Sequence, residues 1–288
     1  MTVHYRDLRY IRIASKDTPS LGAFLHDTIG LQAAGEQDGR QYFRSDHRGY
    51  SVCADPAAGQ DAVALTVGTK ADLAAAAERL TTAKVAVSDL DEASCAARQI
   101  KAGIVCRAPN GVAVEIVWRP MHSGWRYHGP RDAGIVDLLA VSLTSTDIAA
   151  DEAFWTDAIG LTVSDWAGDA CYLRLDDKHH RIAIYPSKTD GLFGIEFEVE
   201  ELNNVMQGYY YFQGHQVPVV QGPGKEPVSD KIFVTARGPR GILFTYGADM
   251  ARGDAVTARI PRQYPADPAS FCAWGSPTDQ PEFLGTRT

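Results

Sequence analysis

The stretch that decides the fold occurs twice in this chain. Residues 23–31 read AFLHDTIGL and residues 153–161 read AFWTDAIGL, with Ala, Phe, Asp, Ile, Gly and Leu at matching places. The two stretches are 130 residues apart, and the same offset pairs four further identical residues: Asp17 with Asp147, Arg107 with Arg237, Pro109 with Pro239, and Gly111 with Gly241. An internal repeat that holds one register from start to end predicts two similar halves in one chain.

Each half carries the same predicted order of elements. A strand of alternating polarity comes first, then an amphipathic helix, period-two strands, a second helix and a closing hairpin. Gly30 and Gly160 suit the end of the first helix, because glycine readily takes the left-handed conformation found there. The predicted first strands are residues 10–14 and 139–143, and the predicted second helices are residues 71–83 and 200–213. Helices separated by runs of antiparallel strands predict an α+β fold.

Composition suggests where the parts of the chain begin and end. Residues 119–132 contain two prolines and two glycines, which is typical of a linker. We expect an amino-terminal unit at residues 1–120, a linker at 121–132, a second unit with the pocket at 133–260, and a tail at 261–288 that wraps the second unit.

The bulk composition narrows the class of partner. Apolar residues make up 45% of the chain, the level of a globular protein with a core, and the net charge is −8. An acidic chain is a poor partner for nucleic acid or an anionic membrane, so a small molecule fits better. No signal peptide or apolar span is visible, and the 5 cysteines form no CxxC pair, which favours the reducing cytoplasm.

Two motifs give the chain a family resemblance. AFxxDxIGL after the first strand and PxG before the last resemble the vicinal oxygen chelate superfamily, built from βαβββ modules. Two module pairs in 288 residues resemble the type I extradiol dioxygenases, which cleave catechols with Fe(II). The stretch DKHHRIAI at residues 177–184 is similar to a strand of that family. The resemblance implies tandem modules in two barrel-like domains, a non-catalytic first domain and a homo-oligomer.

The iron ligands of that family are not present at the matching positions. The resemblance implies two His and one carboxylate on three strands of the second half. Here those places hold Ala140, Gly194 and Thr245. A methyl group and a hydrogen cannot donate a lone pair, and a neutral threonine is a poor substitute for a carboxylate. The equivalent places of the first half hold Tyr10, Ala64 and Glu115. We therefore expect no metal and no cofactor.

Strand alternation predicts which side chains face the pocket of the second half. We expect His180, Ile182 and Ile184 to share the pocket face, with the adjacent His179 facing outward. Ala140 and Gly194 should leave extra room for a bulky ligand. The predicted catalytic residues are His180 and Glu196, and the predicted substrate-binding residues are Ser142, Tyr172, Gly194, Asp230 and Thr245.

The two predicted catalytic residues have different interpretations. Neutral imidazole can remove a proton from a phenol near neutral pH, and the resemblance implies that role for His180. The alternative for His180 is a structural histidine bonded to backbone. Glu196 could orient His180, act as a second base, help to bind a metal, or form a salt bridge with Lys231 or Arg237.

Three hypotheses for function follow from these residues. The first is an enzyme that uses metal-free acid–base chemistry on an aromatic or ring-derived small molecule. The second is an extradiol dioxygenase whose metal is held by other residues, such as His180 with Glu196. The third is a non-catalytic protein that binds an aromatic ligand or pairs with an active relative.

Overall fold

The structure is a computed structural model that describes residues 3–285. Within these residues the chain forms two mixed sheets, of eight and nine strands, and each half of the repeat builds one sheet. The predicted α+β class is confirmed. Among the same residues, no helix is both long and apolar enough to cross a membrane.

The first half builds a sheet of strand order β2-β3-β4-β1-β5-β8-β7-β6. Its strands are β1 (Tyr5–Ala14), β2 (Gln32–Gln37), β3 (Arg40–Arg44), β4 (Val52–Asp55), β5 (Ala62–Val67), β6 (Ser88–Asp89), β7 (Ala102–Arg107) and β8 (Ala113–Trp118). Its helices are α1 (Thr18–Ala23), which continues as a π-helical turn (Phe24–Thr28), α2 (Lys70–Thr82) and α3 (Glu92–Ala97).

The second half repeats this arrangement in the order β14-β15-β16-β13-β9-β12-β11-β10-β17. Its strands are β9 (Ile135–Ser145), β10 (Thr162–Ala167), β11 (Ala170–Arg174), β12 (Ile182–Pro186), β13 (Gly191–Val199), β14 (Val219–Lys225), β15 (Ile232–Arg237), β16 (Leu243–Ala248) and β17 (Arg262–Tyr264). Its helices are α4 (Ile148–Ala153), which continues as a π-helical turn (Phe154–Ile159), α5 (Leu202–Gly214) and α6 (Asp254–Thr257).

The repeat in the sequence is a repeat in structure. Helices α1 and α4, and the strand pairs β2 with β10, β3 with β11, and β7 with β15, all begin at the offset read from the sequence. The second helices lie within two residues of their predicted bounds. The first strands are longer than predicted, because β1 pairs along most of its length with β5 and β9 along most of its length with β13. A second neighbour, β4 or β12, pairs only with the final part of each strand.

Local chemistry explains why the first helices start and stop alike. The Asp17 carboxylate accepts a hydrogen bond from the Ser20 backbone N–H, and Asp147 accepts one from that of Ala150. Both aspartates therefore cap a helix whose first N–H groups lack a partner. At the other end Gly160 has φ +102°, in the left-handed region that favours glycine.

The two halves share one apolar core and direct polar contacts. The Tyr246 hydroxyl donates to the Ile29 carbonyl at 2.6 Å, and Arg48 Nη1 lies 2.6 Å from Asp137 Oδ1. Residues 119–134 connect the halves without a helix or a strand. Beyond the second half, β17 pairs in parallel with β10, and this places the following segment beside the second sheet.

Candidate active site

A cavity lies on the second sheet and is bordered by β9, β13, β15 and β16 and by the segment that follows β17. Its volume is about 30 Å³, counted as the space that the centre of a water-sized sphere can reach. One side is polar and includes Ser142, Glu196, Gln221, Glu226, Lys231, Thr235 and Thr245. The other side is aromatic and consists of Tyr185, Phe193, Phe233, Phe271 and Phe283.

Strand register brings the polar side chains together. On β13, Glu196 pairs with Ala140 of β9 on one side and with Thr245 of β16 on the other. Two residues earlier, Gly194 pairs with Ser142 of β9. Because side chains on a strand alternate between its faces, Ser142, Glu196 and Thr245 reach the same cavity.

The centre of the polar side is a buried lysine between two buried carboxylates. Lys231 Nζ lies 2.6 Å from Glu196 Oε2 and 3.4 Å from Glu226 Oε1. The Ser142 hydroxyl donates to the other Glu196 oxygen at 3.0 Å, and the Ser229 hydroxyl donates to Glu226. We call Glu196, Lys231 and Glu226 the carboxylate–lysine cluster.

The electrostatics of the cluster set its protonation. Burial acts to lower the pKa of Lys231, but Glu196 and Glu226 outweigh it and raise that pKa, so Lys231 remains an ammonium ion. Burial raises the pKa of Glu226, although the charge of Lys231 opposes this change. Glu226 is thus a carboxyl group that holds its proton more firmly than an exposed glutamate, as a general acid or base in a cavity would.

Four of the seven predicted site residues line this cavity and three do not. Glu196, Ser142, Gly194 and Thr245 border it, whereas His180, Tyr172 and Asp230 are absent from its wall. Tyr172 is fully buried, and its hydroxyl is 3.5 Å from that of Tyr185, which does line the cavity. Asp230 is exposed and pairs with Lys225 at 3.1 Å.

The prediction that His179 faces outward is wrong. Both His179 and His180 are fully buried, and their Nδ1 atoms are 2.9 Å apart. Alternation failed here because β12 begins only at Ile182, so the two histidines lie in the bend before the strand. Ile182 and Ile184 pair with Val141 and Leu143 and pack in the apolar core, not on the cavity face as predicted.

His180 lies near the carboxylate–lysine cluster but is not part of the cavity wall. Its ring centroid is 5.1 Å from that of Tyr172. Burial, followed by the charge of Lys231, holds the pKa of His180 well below its usual range, so the imidazole is neutral. Within residues 3–285, no group makes a hydrogen bond to His180 Nε2.

The residues do not fit the iron centre that the family resemblance implies. Ala140 is fully buried against Leu139 and Met250, so it also adds no room to the cavity, contrary to prediction. The Thr245 hydroxyl is 2.8 Å from that of Thr235. The carboxylates that do reach the cavity are bonded to an ammonium ion. In the described part of the chain, His, Cys, Asp and Glu form no group of three that could hold a metal ion.

The first half, as far as residues 3–118 describe it, offers no ligand set either. Its single candidate, Glu115, is buried and accepts hydrogen bonds from Arg12, Arg98 and the Tyr10 hydroxyl. These three donors occupy the carboxylate. Glu115 therefore serves an internal ion network in this half.

Comparisons with known proteins agree with the fold. Residues 137–246 match the family model of the Glyoxalase/Bleomycin resistance protein/Dioxygenase superfamily. The predicted resemblance is confirmed. The chain is 28% identical over 197 residues to the biphenyl-2,3-diol 1,2-dioxygenase of Pseudomonas sp. (strain KKS102), a match that covers 62% of this chain and 66% of that relative. The enzyme of the same name from Paraburkholderia xenovorans (strain LB400) is also 28% identical, over 200 residues. The match thus spans just under two thirds of the length of these relatives.

Solved structures share the whole architecture. BphC, a halotolerant catechol dioxygenase, superposes with a TM-score of 0.88 over 99% of both chains at 17% identity. The Mn(II)-bound glyoxalase from Novosphingobium aromaticivorans superposes with a TM-score of 0.85 at 22% identity, covering 98% of this chain and 94% of that one. At these identities the likeness shows a shared fold.

Sequence reasoning missed the centre of the site and all of its aromatic side. Lys231 entered only as one possible partner of Glu196, a pairing that the 2.6 Å distance bears out. Tyr185, Phe271 and Phe283 were not predicted. The two phenylalanines come from the segment after β17, which has no periodicity that could have placed them.

Proposed function

We propose that this chain is an enzyme that acts on an aromatic or ring-derived small molecule by acid–base chemistry without bound iron. The observation that carries the proposal is the carboxylate–lysine cluster in the wall of a cavity that five aromatic side chains also line. A buried ammonium ion beside two carboxylates supplies a positive charge and a proton carrier where the dioxygenases of this fold would use a metal.

The aromatic side of the cavity favours a ring as the ligand. Tyr185, Phe193 and Phe283 lie with ring centroids 5.5–5.7 Å apart, and they line the same cavity as the carboxylate–lysine cluster. Aromatic rings prefer offset or edge-on contacts at such distances. A planar ring with one polar edge matches the chemistry of both groups of lining residues. Its entry requires the lining side chains to move apart, because a cavity of about 30 Å³ has room for only about one or two water molecules.

The cluster can divide the work of removing a proton next to a carbonyl or phenol oxygen. Lys231 can donate a hydrogen bond to that oxygen and stabilise the negative charge that collects on it. Glu226 can take the proton from the neighbouring carbon or hydroxyl and later return it, so that the reaction consumes no co-reactant. His180, neutral and close to Lys231, is the second proton carrier in this proposal.

The experiment combines binding, metal content and turnover on one anaerobic preparation. Biphenyl-2,3-diol, which appears in the names of the two relatives, is the first compound to test for binding by calorimetry and for oxygen uptake. Cyclic ketones are then tested for exchange of their ring hydrogens with D₂O. We expect ligand binding, no oxygen consumption, and exchange that Glu226→Gln reduces at least tenfold. Asp230→Asn is the matched control, because Asp230 is exposed outside the cavity.

Two outcomes would overturn the proposal. Iron near one atom per chain together with oxygen uptake would show a ring-cleaving dioxygenase with an unforeseen ligand set. Tight ligand binding with no exchange for any compound would show a binding protein.

A further inference from the structure

Asp165, His179 and His180 form a continuous buried chain of hydrogen bonds behind the cavity. His179 Nε2 is 2.9 Å from Asp165 Oδ2, and His179 Nδ1 is 2.9 Å from His180 Nδ1. All three residues have no exposed surface. These hydrogen bonds connect Asp165 on β10 to the bend before β12, where His179 lies fourteen residues further along the sequence.

Asp165 is held as an ionised acceptor at the start of this chain. Arg259 Nη2 donates to it at 2.6 Å, and Arg262 donates through its backbone N–H at 2.7 Å and its Nη2 at 2.9 Å. Burial acts to raise the pKa of Asp165, but the bonds from His179 and Arg262 outweigh it and lower that pKa to about 2. An ionised carboxylate can only accept, so His179 must donate from Nε2.

The proton on Nε2 of His179 then determines which other ring nitrogens of His179 and His180 carry a proton. Burial lowers the pKa of both imidazoles, so each carries one proton. Since His179 uses its proton toward Asp165, its Nδ1 is a lone pair. His180 must therefore donate from Nδ1, and this leaves Nε2 as its accepting nitrogen.

We infer that His179 is a positioning residue that, together with Asp165, fixes His180 as the Nδ1–H tautomer and leaves Nε2 as a buried base. Arg259 and Arg262, from the segment around β17, hold Asp165 at the start of this hydrogen-bond series. Two residues distant in sequence from His180 therefore help to set its tautomer. The use of this nitrogen in turnover rests on the proposed function, whereas the tautomer itself does not.

The test is the ¹⁵N NMR spectrum of the full chain labelled at histidine, with His180→Gln identifying the His180 signals. The expected spectrum shows an unprotonated Nε2 and a protonated Nδ1 for His180. A protonated Nε2, or rapid averaging of the two nitrogens, would overturn the inference without bearing on the proposed function.

Two substitutions of His179 provide a matched pair. The oxygen of His179→Asn can occupy the place of Nδ1 and keep the acceptor for His180, whereas His179→Gln places its amide toward Asp165 and removes that acceptor. We expect His180 to retain its tautomer in the Asn variant and to lose it in the Gln variant, with any measured exchange activity following the tautomer. His26→Gln, at a partly exposed histidine, is the control that should change neither signal. Equal spectra for the Asn and Gln variants would contradict the assigned role of His179.

Discussion

Replacing Lys231 by Met should destabilise the protein strongly and in a pH-dependent way. Lys231, Glu196 and Glu226 are each no more than 5% exposed, so the substitution leaves two carboxylates buried without their cation. Removing one partner of a buried ion pair costs about 3–5 kcal/mol, because the remaining charge is not compensated. At about 2–4 °C per kcal/mol for a chain of this size, the melting temperature should fall by roughly 6–20 °C.

The pH dependence gives this prediction a second readout. In the variant, the pKa of Glu226 rises further above the value of about 4.3 that an unfolded glutamate has. A group whose pKa is raised on folding adds stability below its unfolded pKa, and that stability is lost as pH rises through the folded value. Acidification from about pH 7 toward about pH 5 should therefore restore part of the lost stability.

Calorimetry at both pH values is the assay, with Lys225→Met as the matched control. Lys225 pairs with the exposed Asp230 at 3.1 Å, and an exposed pair contributes only about 0–1 kcal/mol. The prediction is wrong if the melting temperature of Lys231→Met lies as close to that of the parent protein as the melting temperature of Lys225→Met does. It is also wrong if the melting temperature of Lys231→Met does not rise on acidification.

Four further substitutions test the packing and charge of the fold. Tyr246→Phe removes the donor to the Ile29 carbonyl between the halves, and it should cost about 1–3 kcal/mol in thermal unfolding. Gly194→Ala should fold normally but weaken ligand binding in calorimetry, since the added carbon meets nothing closer than 3.3 Å yet narrows the cavity. Gly208→Ala, where that carbon would lie 2.5 Å from the buried Tyr246 ring, should instead lower the melting temperature. The pKa of Asp165 is lowered from 3.8 to about 2, so its ionised form stabilises the fold and this contribution is lost as the pH falls between these values. The free energy of unfolding of Asp165→Asn, measured over the same pH range, should therefore fall less steeply than that of the parent protein.

Local patterns were enough to predict the architecture. The doubled AFxxDxIGL stretch identified both first helices, because the capping aspartates and the closing glycines act within a few residues of where they stand. The second helices followed from their own composition. Period-two alternation was sufficient to put Ser142, Glu196 and Thr245 on one face, since their strands pair in regular register.

The same reasoning failed where regular structure stops. His179 and His180 stand in a bend, so alternation said nothing valid about their directions. Their burial depends on Asp165, which reaches them only through the pairing of β10, β11 and β12. Aromatic residues of the tail such as Phe271 line the cavity because β17 pairs with β10 and so becomes the edge strand of the second sheet.

The sequence by itself determined the repeat and the order of elements, since both depend on residue type and on spacing along the chain. Only the tertiary structure decided which side chains meet in the cavity. The contact between Lys231 and Glu196 joins the residue just before β15 to a residue of β13. The ammonium ion is stabilised there by buried carboxylate partners that no local pattern reveals.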